Sequence, residues 1–192
     1  MNYLAHLHLS APDAALMAGN YIGDFVKGKN FSAFPKGVAE GIIMHRSIDH
    51  FTDTHPLVLE AKSLIRPRQG KWSGVVMDMF FDHFLAKDFE QWQGMNLEEF
   101  TTNSYQKIAA FHDCFPERAK QIYQYMSKDD WLLSYATETG ICQALAGISN
   151  RVRHPNNMKQ AYSDLKEFGD PIKGLFREFY QELQAHCISG DF

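Results

Sequence analysis

Apolar residues recur at three- and four-residue steps through most of the chain, the repeat of amphipathic helices. No run alternates strictly between turn dipeptides as half-buried strands do. The pattern predicts an all-α protein. A first helix is expected from Asp13 to about Val26, ending at Gly28, and a second from near Pro35 to about Thr52. Pro56 suits the first turn of a short third helix that ends before Pro67. After the polar RPRQGK turn, a fourth runs from about Ser73 to Trp92. Asn96, with Glu99 three residues on, predicts a capped helix reaching about Phe111, and Pro116 opens another. WLLSYATETGICQALAGI reads as a buried helix pair broken near Gly140. Asp170-Pro171 reads as the start of a last helix ending near His186. With no repeat or linker-like stretch, residues 1–192 are expected to form one helical bundle domain.

Composition narrows the function classes. With 45% hydrophobic and 22% charged residues the 192-residue chain is an ordinary globule, large enough for one core. Its net charge of −4 argues against a general nucleic-acid binder, which needs a basic surface to neutralise phosphates. Three scattered cysteines form no C-x-x-C pair, so neither a disulfide framework nor a thiolate zinc site is expected. The opening MNYLAHLHLSAPD has no basic n-region, and no apolar run is long enough to span a bilayer. A cytoplasmic protein with no membrane contact is the expectation.

The informative feature is acid and imidazole on helix faces that should be buried. In the second helix Val38, Ile42, His45 and Asp49 fall on one side. In the fourth, Asp78 and Asp82 share a face with Val75, Leu85 and Phe89, and His83 points roughly 100° away from Asp82. Asp24 lies one turn from Asn20 in an apolar surround. An ionised carboxylate in a dry interior costs several kcal/mol unless it is paired or bound to a cation. Ordinary ion pairs to Arg46, Lys27 or Lys71 would account for any one of these acids, but the whole set calls for a shared cation. Mixed His and Asp donors suit Mn²⁺, Mg²⁺ or Fe²⁺, or a catalytic Zn²⁺, and such sites serve hydrolysis of phosphate esters. His6 and His8 are two apart and would diverge on a helix, so one of them is expected to be a hydrogen-bonded core residue. Nucleotide-binding glycine loops are absent, as are the Glu-x-x-His pairs of di-iron bundles.

The segments MNYLAHLHLS, GNYIGDFVKG (Gly19 to Gly28), GIIMHRSIDHFTDTHP (Gly41 to Pro56) and MDMFFDHFLAKDF (Met77 to Phe89) resemble those of the bacterial acyl carrier protein phosphodiesterases. That family is regarded as a divergent branch of the HD metal-dependent phosphohydrolases. The resemblance implies an all-helical, HD-like enzyme that uses a divalent metal, Mn²⁺ by preference, to hydrolyse holo-acyl carrier protein to the apo form and 4′-phosphopantetheine, in the turnover of a fatty acid synthesis prosthetic group. It implies metal ligation by Asp24, His45, Asp49 and Asp82, with His6 and Asp78 as further ligands or supporting partners. The adjacent His-Asp doublet of HD enzymes is replaced here by His45-x-x-x-Asp49 and by the reversed pair Asp82-His83. The accompanying mechanism assigns Arg46 to the phosphoryl oxygens and His83 to protonating the leaving serine. Lys27, Lys29, Lys36, Arg66, Arg68 and Lys71 are candidates for gripping the acidic carrier. The alternatives are an HD-type enzyme acting on a nucleotide and a helical binding protein without catalysis.

Overall fold

The computed structural model describes residues 1–190 and is helical throughout. Eleven α-helices among the described residues surround an aromatic-rich core. The first, α1 (Tyr3–Ser10), was not foreseen from periodicity. Leu4, Ala5, His6, Leu7 and His8 are all buried, so the helix has no polar face and hence no amphipathic period.

α2 (Ala14–Ile22) starts at Asp13, whose carboxylate accepts from the Ala15 and Leu16 N–H groups, both at 2.9 Å. It stops four residues before the expected end and gives way to a single 3₁₀ turn, Gly23–Phe25. α3 (Lys36–Thr54) follows Pro35 closely as predicted. The two helices pack backbone to backbone because Gly19 and Gly41 lack side chains. A Cβ on Gly19 would collide with the Val38 carbonyl oxygen, and one on Gly41 with that of Leu16.

α4 (Pro56–Gln69) carries Pro67 inside its last turn instead of ending before it. Arg68 and Gln69, the residues beyond the proline, are held by hydrogen bonds of 2.8 and 2.6 Å to Asp164. The expected fourth helix is two: α5 (Ser73–Lys87) and α6 (Phe89–Gln93), parted at Asp88, which pairs with Lys173 and Arg177. α7 (Leu97–Ala109) begins at Asn96, whose side chain accepts from the Glu99 N–H at 2.7 Å, and α8 (Glu117–Lys128) follows Pro116.

The apolar pair is α9 (Trp131–Ser134) and α10 (Glu138–Arg151), broken at residues 135–137 rather than at Gly140. Gly140 lies within α10 and is needed for close approach, since a Cβ there would collide with the Ser134 carbonyl. The last helix, α11 (Ala161–Ser189), is continuous through Pro171, against the expectation that it starts there. Leu165 on one side of the proline and Ile172, Phe176, Phe179 and Leu183 on the other are buried in one stripe. That burial outweighs the roughly 3 kcal/mol a proline costs inside a helix. Among the described residues no helix is long and apolar enough to cross a membrane.

His8 is the hydrogen-bonded core histidine. Its Nε2–H donates to Gln93 Oε1 at 2.8 Å, and the Tyr180 hydroxyl donates to its Nδ1 at 2.6 Å, so both ring nitrogens are satisfied in the neutral form. Burial lowers its pKa from 6.5 to about 4. Between those values the unfolded chain binds the extra proton and the fold does not, so stability falls as pH falls through this window. Acidification to pH 5 should remove about 2 kcal/mol through this residue. Urea unfolding of the wild type and His8→Asn at pH 7 and pH 5 checks this: the wild type should lose more stability than the variant, and equal losses would refute it.

Candidate metal centre

The close packing of α2 on α3 and of α1 on both brings four side chains together. His45 and Asp49 are one turn apart on α3, and Asp49 Oδ2 lies 3.2 Å from His45 Nε2. Asp24, on the 3₁₀ turn after α2, places Oδ1 3.3 Å from the same nitrogen. His6 enters from α1, with Nε2 3.2 Å from Asp49 Oδ1 and its ring stacked on His45, centroids 4.1 Å apart. His6, His45 and Asp49 each offer a ligand atom within 4.8 Å of the others. The imidazoles are buried, whereas the Asp49 and Asp24 side chains are 39% and 67% exposed, so the cluster opens to solvent on its carboxylate side.

The proton inventory bears on what can sit there. His6 Nδ1 is 2.7 Å from Asn20 Oδ1; with the amide in this orientation the hydrogen sits on Nδ1 and a lone pair is left on Nε2. Burial, then the neighbouring His45, lowers the His6 pKa and keeps that ring neutral despite Asp49. A lone pair therefore faces a carboxylate oxygen at 3.2 Å without a hydrogen bond between them. That contact is repulsive unless a cation bridges it. Burial alone would lower the His45 pKa as well, but its contacts with Asp24 and Asp49 outweigh this and raise it. Burial pushes Asp49 up, and its contact with His45 outweighs that and holds it well below the usual carboxylate range. Asp24 is lowered chiefly by its hydrogen bond to His45. Two imidazole nitrogens and two ionised carboxylates are a donor set for a divalent first-row cation. The Nδ1–H···Asn20 bond is the kind of outer contact that orients a metal-binding imidazole.

A family model described as acyl carrier protein phosphodiesterase matches residues 1–183. The chain belongs to the acyl carrier protein phosphodiesterase family. Curated relatives with that name come from Enterobacter sp. (strain 638), 33% identical, and Yersinia pestis, 32% identical. Each alignment covers 97% of this chain and 97% of the relative. A third, from Photorhabdus laumondii, is 28% identical over 100% of this chain and 98% of its own length. No solved structure matches the chain.

Of the site residues expected in a member of this family, Asp24, His45, Asp49 and His6 converge, whereas Asp82, Asp78, His83 and Arg46 do not. Asp82 is fully buried, but both its oxygens accept from the start of α1: the Asn2, Leu4 and Ala5 N–H groups at 3.3, 2.9 and 3.3 Å. It caps a helix from a neighbouring helix. Burial pushes its carboxyl up to about 7, against the pull of the Met1 amine and those three donors. Asp78 pairs at 3.0 Å with the Met1 α-amino group. His83 is turned to the other side of α5, where its Nδ1–H donates to the Tyr135 carbonyl at 2.7 Å. Arg46 follows His45 in sequence but points away on the helix. It donates to the Gly28 and Val26 carbonyls at 2.7 and 2.8 Å and lies over the Phe31 ring, fastening the loop that follows Asp24. Ordinary Lys or Arg pairing does not explain these acids; Lys71 sits over Trp72.

Two contributors carried no readable signal as site residues. Asn20, noted only as a neighbour of Asp24, sets the tautomer of His6. Gly23 leaves the space filled by the His45 ring, since a Cβ there would collide with that imidazole. Its position directly before Asp24 in GDF was the one available hint.

Proposed function

We propose that this protein is a metal-dependent phosphodiesterase that hydrolyses holo-acyl carrier protein to apo-acyl carrier protein and 4′-phosphopantetheine. The substrate reading follows from the family of its relatives. The observation that carries the metal is the His6 Nε2 lone pair turned on the Asp49 carboxylate. His6 Nε2, His45 Nε2, Asp49 and Asp24 would hold the ion, and their balance of nitrogen and oxygen donors suits Mn²⁺, with Fe²⁺ or Mg²⁺ as substitutes. When bound, such an ion supplies positive charge for the phosphoryl oxygens and makes water a better nucleophile near neutral pH. Asn20 holds the proton of His6 on Nδ1, Gly23 admits the His45 ring, and Arg46 steadies the loop beside Asp24. The exposure of Asp24 leaves the cluster open for a phosphodiester to approach.

Lys27 and Lys29 are exposed just beyond Asp24 and flank Gly28, well placed to steer an acidic carrier protein. Arg68 is committed to Asp164 and Glu167, and Lys36 lies 3.7 Å from Glu40, so the lysines by Asp24 are the better docking candidates of the basic set. Three free cysteines suit a reducing cytoplasm.

Incubating the purified protein with holo-acyl carrier protein, with added Mn²⁺ or with a chelator, and reading the intact mass of the carrier tests the proposal. Loss of the prosthetic group with Mn²⁺ and none with chelator is expected. No loss with Mn²⁺ would refute the activity, and undiminished loss in chelator would refute the metal.

A further inference from the structure

A cavity of about 530 Å³ shares helix α1 with the candidate metal centre and none of its residues. One wall is a face of α10 formed by Gly140, Ala144, Gly147, Ile148 and Arg151, at helical steps of three and four. Gly147 faces open space, since a Cβ there would meet nothing within 4 Å. Tyr3 and Met79 stand on another wall, and Trp131 and Tyr135 line the α9 end.

Tyr3 lines this cavity about one turn before His6 on α1. Its ring packs against Tyr21 with centroids 5.7 Å apart. Burial, then the Asp24 carboxylate, raises its hydroxyl pKa to about 12, while Arg151 and Arg118 pull the other way. Tyr3 is thus within electrostatic reach of both Asp24 and Arg151. From Arg151 to Gly140 the α10 face runs roughly 16 Å at 1.5 Å per residue. The Arg151 guanidinium has no hydrogen bond or ion pair among the described residues. Arg46, by contrast, is fully engaged with carbonyls.

We infer that this cavity receives the pantetheine arm of the substrate, with its phosphodiester at the Tyr3 and Arg151 end and its thiol toward Ser134 and Trp131. The inference rests on the function proposed above. A pantetheine arm is a narrow chain in which two amides alternate with short methylene segments. The cavity supplies aromatic and thioether surface for the methylenes and, for the amides, Gln143, the second Nδ2 hydrogen of Asn2 and the Ser134 hydroxyl oxygen as an acceptor, since Asn2 Oδ1 already caps α1 and the Ser134 hydroxyl already donates to the Trp131 carbonyl. A fatty acyl chain has no hydrogen-bonding groups with which to use those three. At the near end Arg151, which lines the cavity and is unpaired among the described residues, can meet the phosphodiester oxygens.

The test reads binding of the free arm apart from turnover. Titrating the protein with 4′-phosphopantetheine should change the fluorescence of Trp131, and Trp131→Phe should abolish the change. Gly147→Leu fills the cavity from a helical position that favours leucine over glycine, so it should fold and weaken binding at least about tenfold. It should raise KM for holo-acyl carrier protein by a similar factor. Gly174→Leu, at another open glycine on α11 away from the cavity, should change neither. Arg151→Gln should weaken 4′-phosphopantetheine but not pantetheine, which lacks the phosphate. Unchanged affinity and KM in Gly147→Leu would overturn the inference, as would displacement of the fluorescence change by octanoate, which would reassign the cavity to an acyl chain. Turnover of the holo-protein without any response to the free arm would overturn the cavity assignment and leave the activity standing. Binding of the free arm without turnover would do the reverse.

Discussion

Asp49→Asn is expected to lower hydrolysis of holo-acyl carrier protein by more than about 100-fold and to strip the purified protein of its divalent metal. Among the described residues Asp49 is the one carboxylate that faces both imidazoles, at 3.2 Å from each Nε2. Losing a partner that only orients a metal ligand costs roughly 10- to 100-fold in affinity or activity, so losing a direct ligand should cost more. The amide fits the same space, and its N–H can donate to the lone pair on His6 Nε2, which satisfies the buried nitrogen without a cation. The variant should therefore keep the thermal stability of the metal-free wild type while losing the metal. Elemental analysis and the carrier mass assay read the two effects. A variant with a full complement of metal and wild-type turnover would remove Asp49 from the site.

A different outcome is expected at Asp82, although the family resemblance implies that it is one of the same ligands. Asp82→Ala removes the acceptor of three N–H groups at the start of α1, two of them in the buried interior. Unmade hydrogen bonds of this kind cost about 1–3 kcal/mol each, so the total should be about 3 kcal/mol. In a chain of this size that corresponds to a fall in Tm of about 6–12 °C. Because α1 carries His6, metal affinity should fall as a consequence of the loosened helix. Asp82→Asn, which retains one carbonyl acceptor, should recover part of the Tm. If Asp82→Ala left Tm unchanged and removed only the metal, the capping role would be wrong and direct ligation right.

The two acids differ in what stands opposite each helix face. Periodicity put Asp49 and Asp82 on the core-facing sides of their helices, because a helical step of about 100° fixes the side on which a residue falls; Asp82 is fully buried there, whereas Asp49 stands at the rim, 39% exposed. It could not tell what each acid would meet there. Asp49 meets imidazoles because Gly19 and Gly41 bring α2 and α3 backbone to backbone, whereas Asp82 meets the end of a helix that has no amphipathic period to reveal it. Arg46 and His83 show the same limit from the other side. Adjacency in sequence put each beside a candidate ligand, and the 100° step turned each of them to another surface, where it binds carbonyl oxygens.

The chain alone determined the all-α class, most helix starts, and the pairing of His45 with Asp49, because caps, prolines and four-residue spacing act within a single helix turn. Its motifs also placed it in its family. Only the tertiary structure decided that Pro67 and Pro171 lie inside helices, that His6 joins the cluster while Asp82 caps α1, and that Asn20 and Gly23 serve the two imidazoles. Those outcomes depend on which surfaces of different helices meet, and the contacts involved are separated in sequence by up to about a hundred residues.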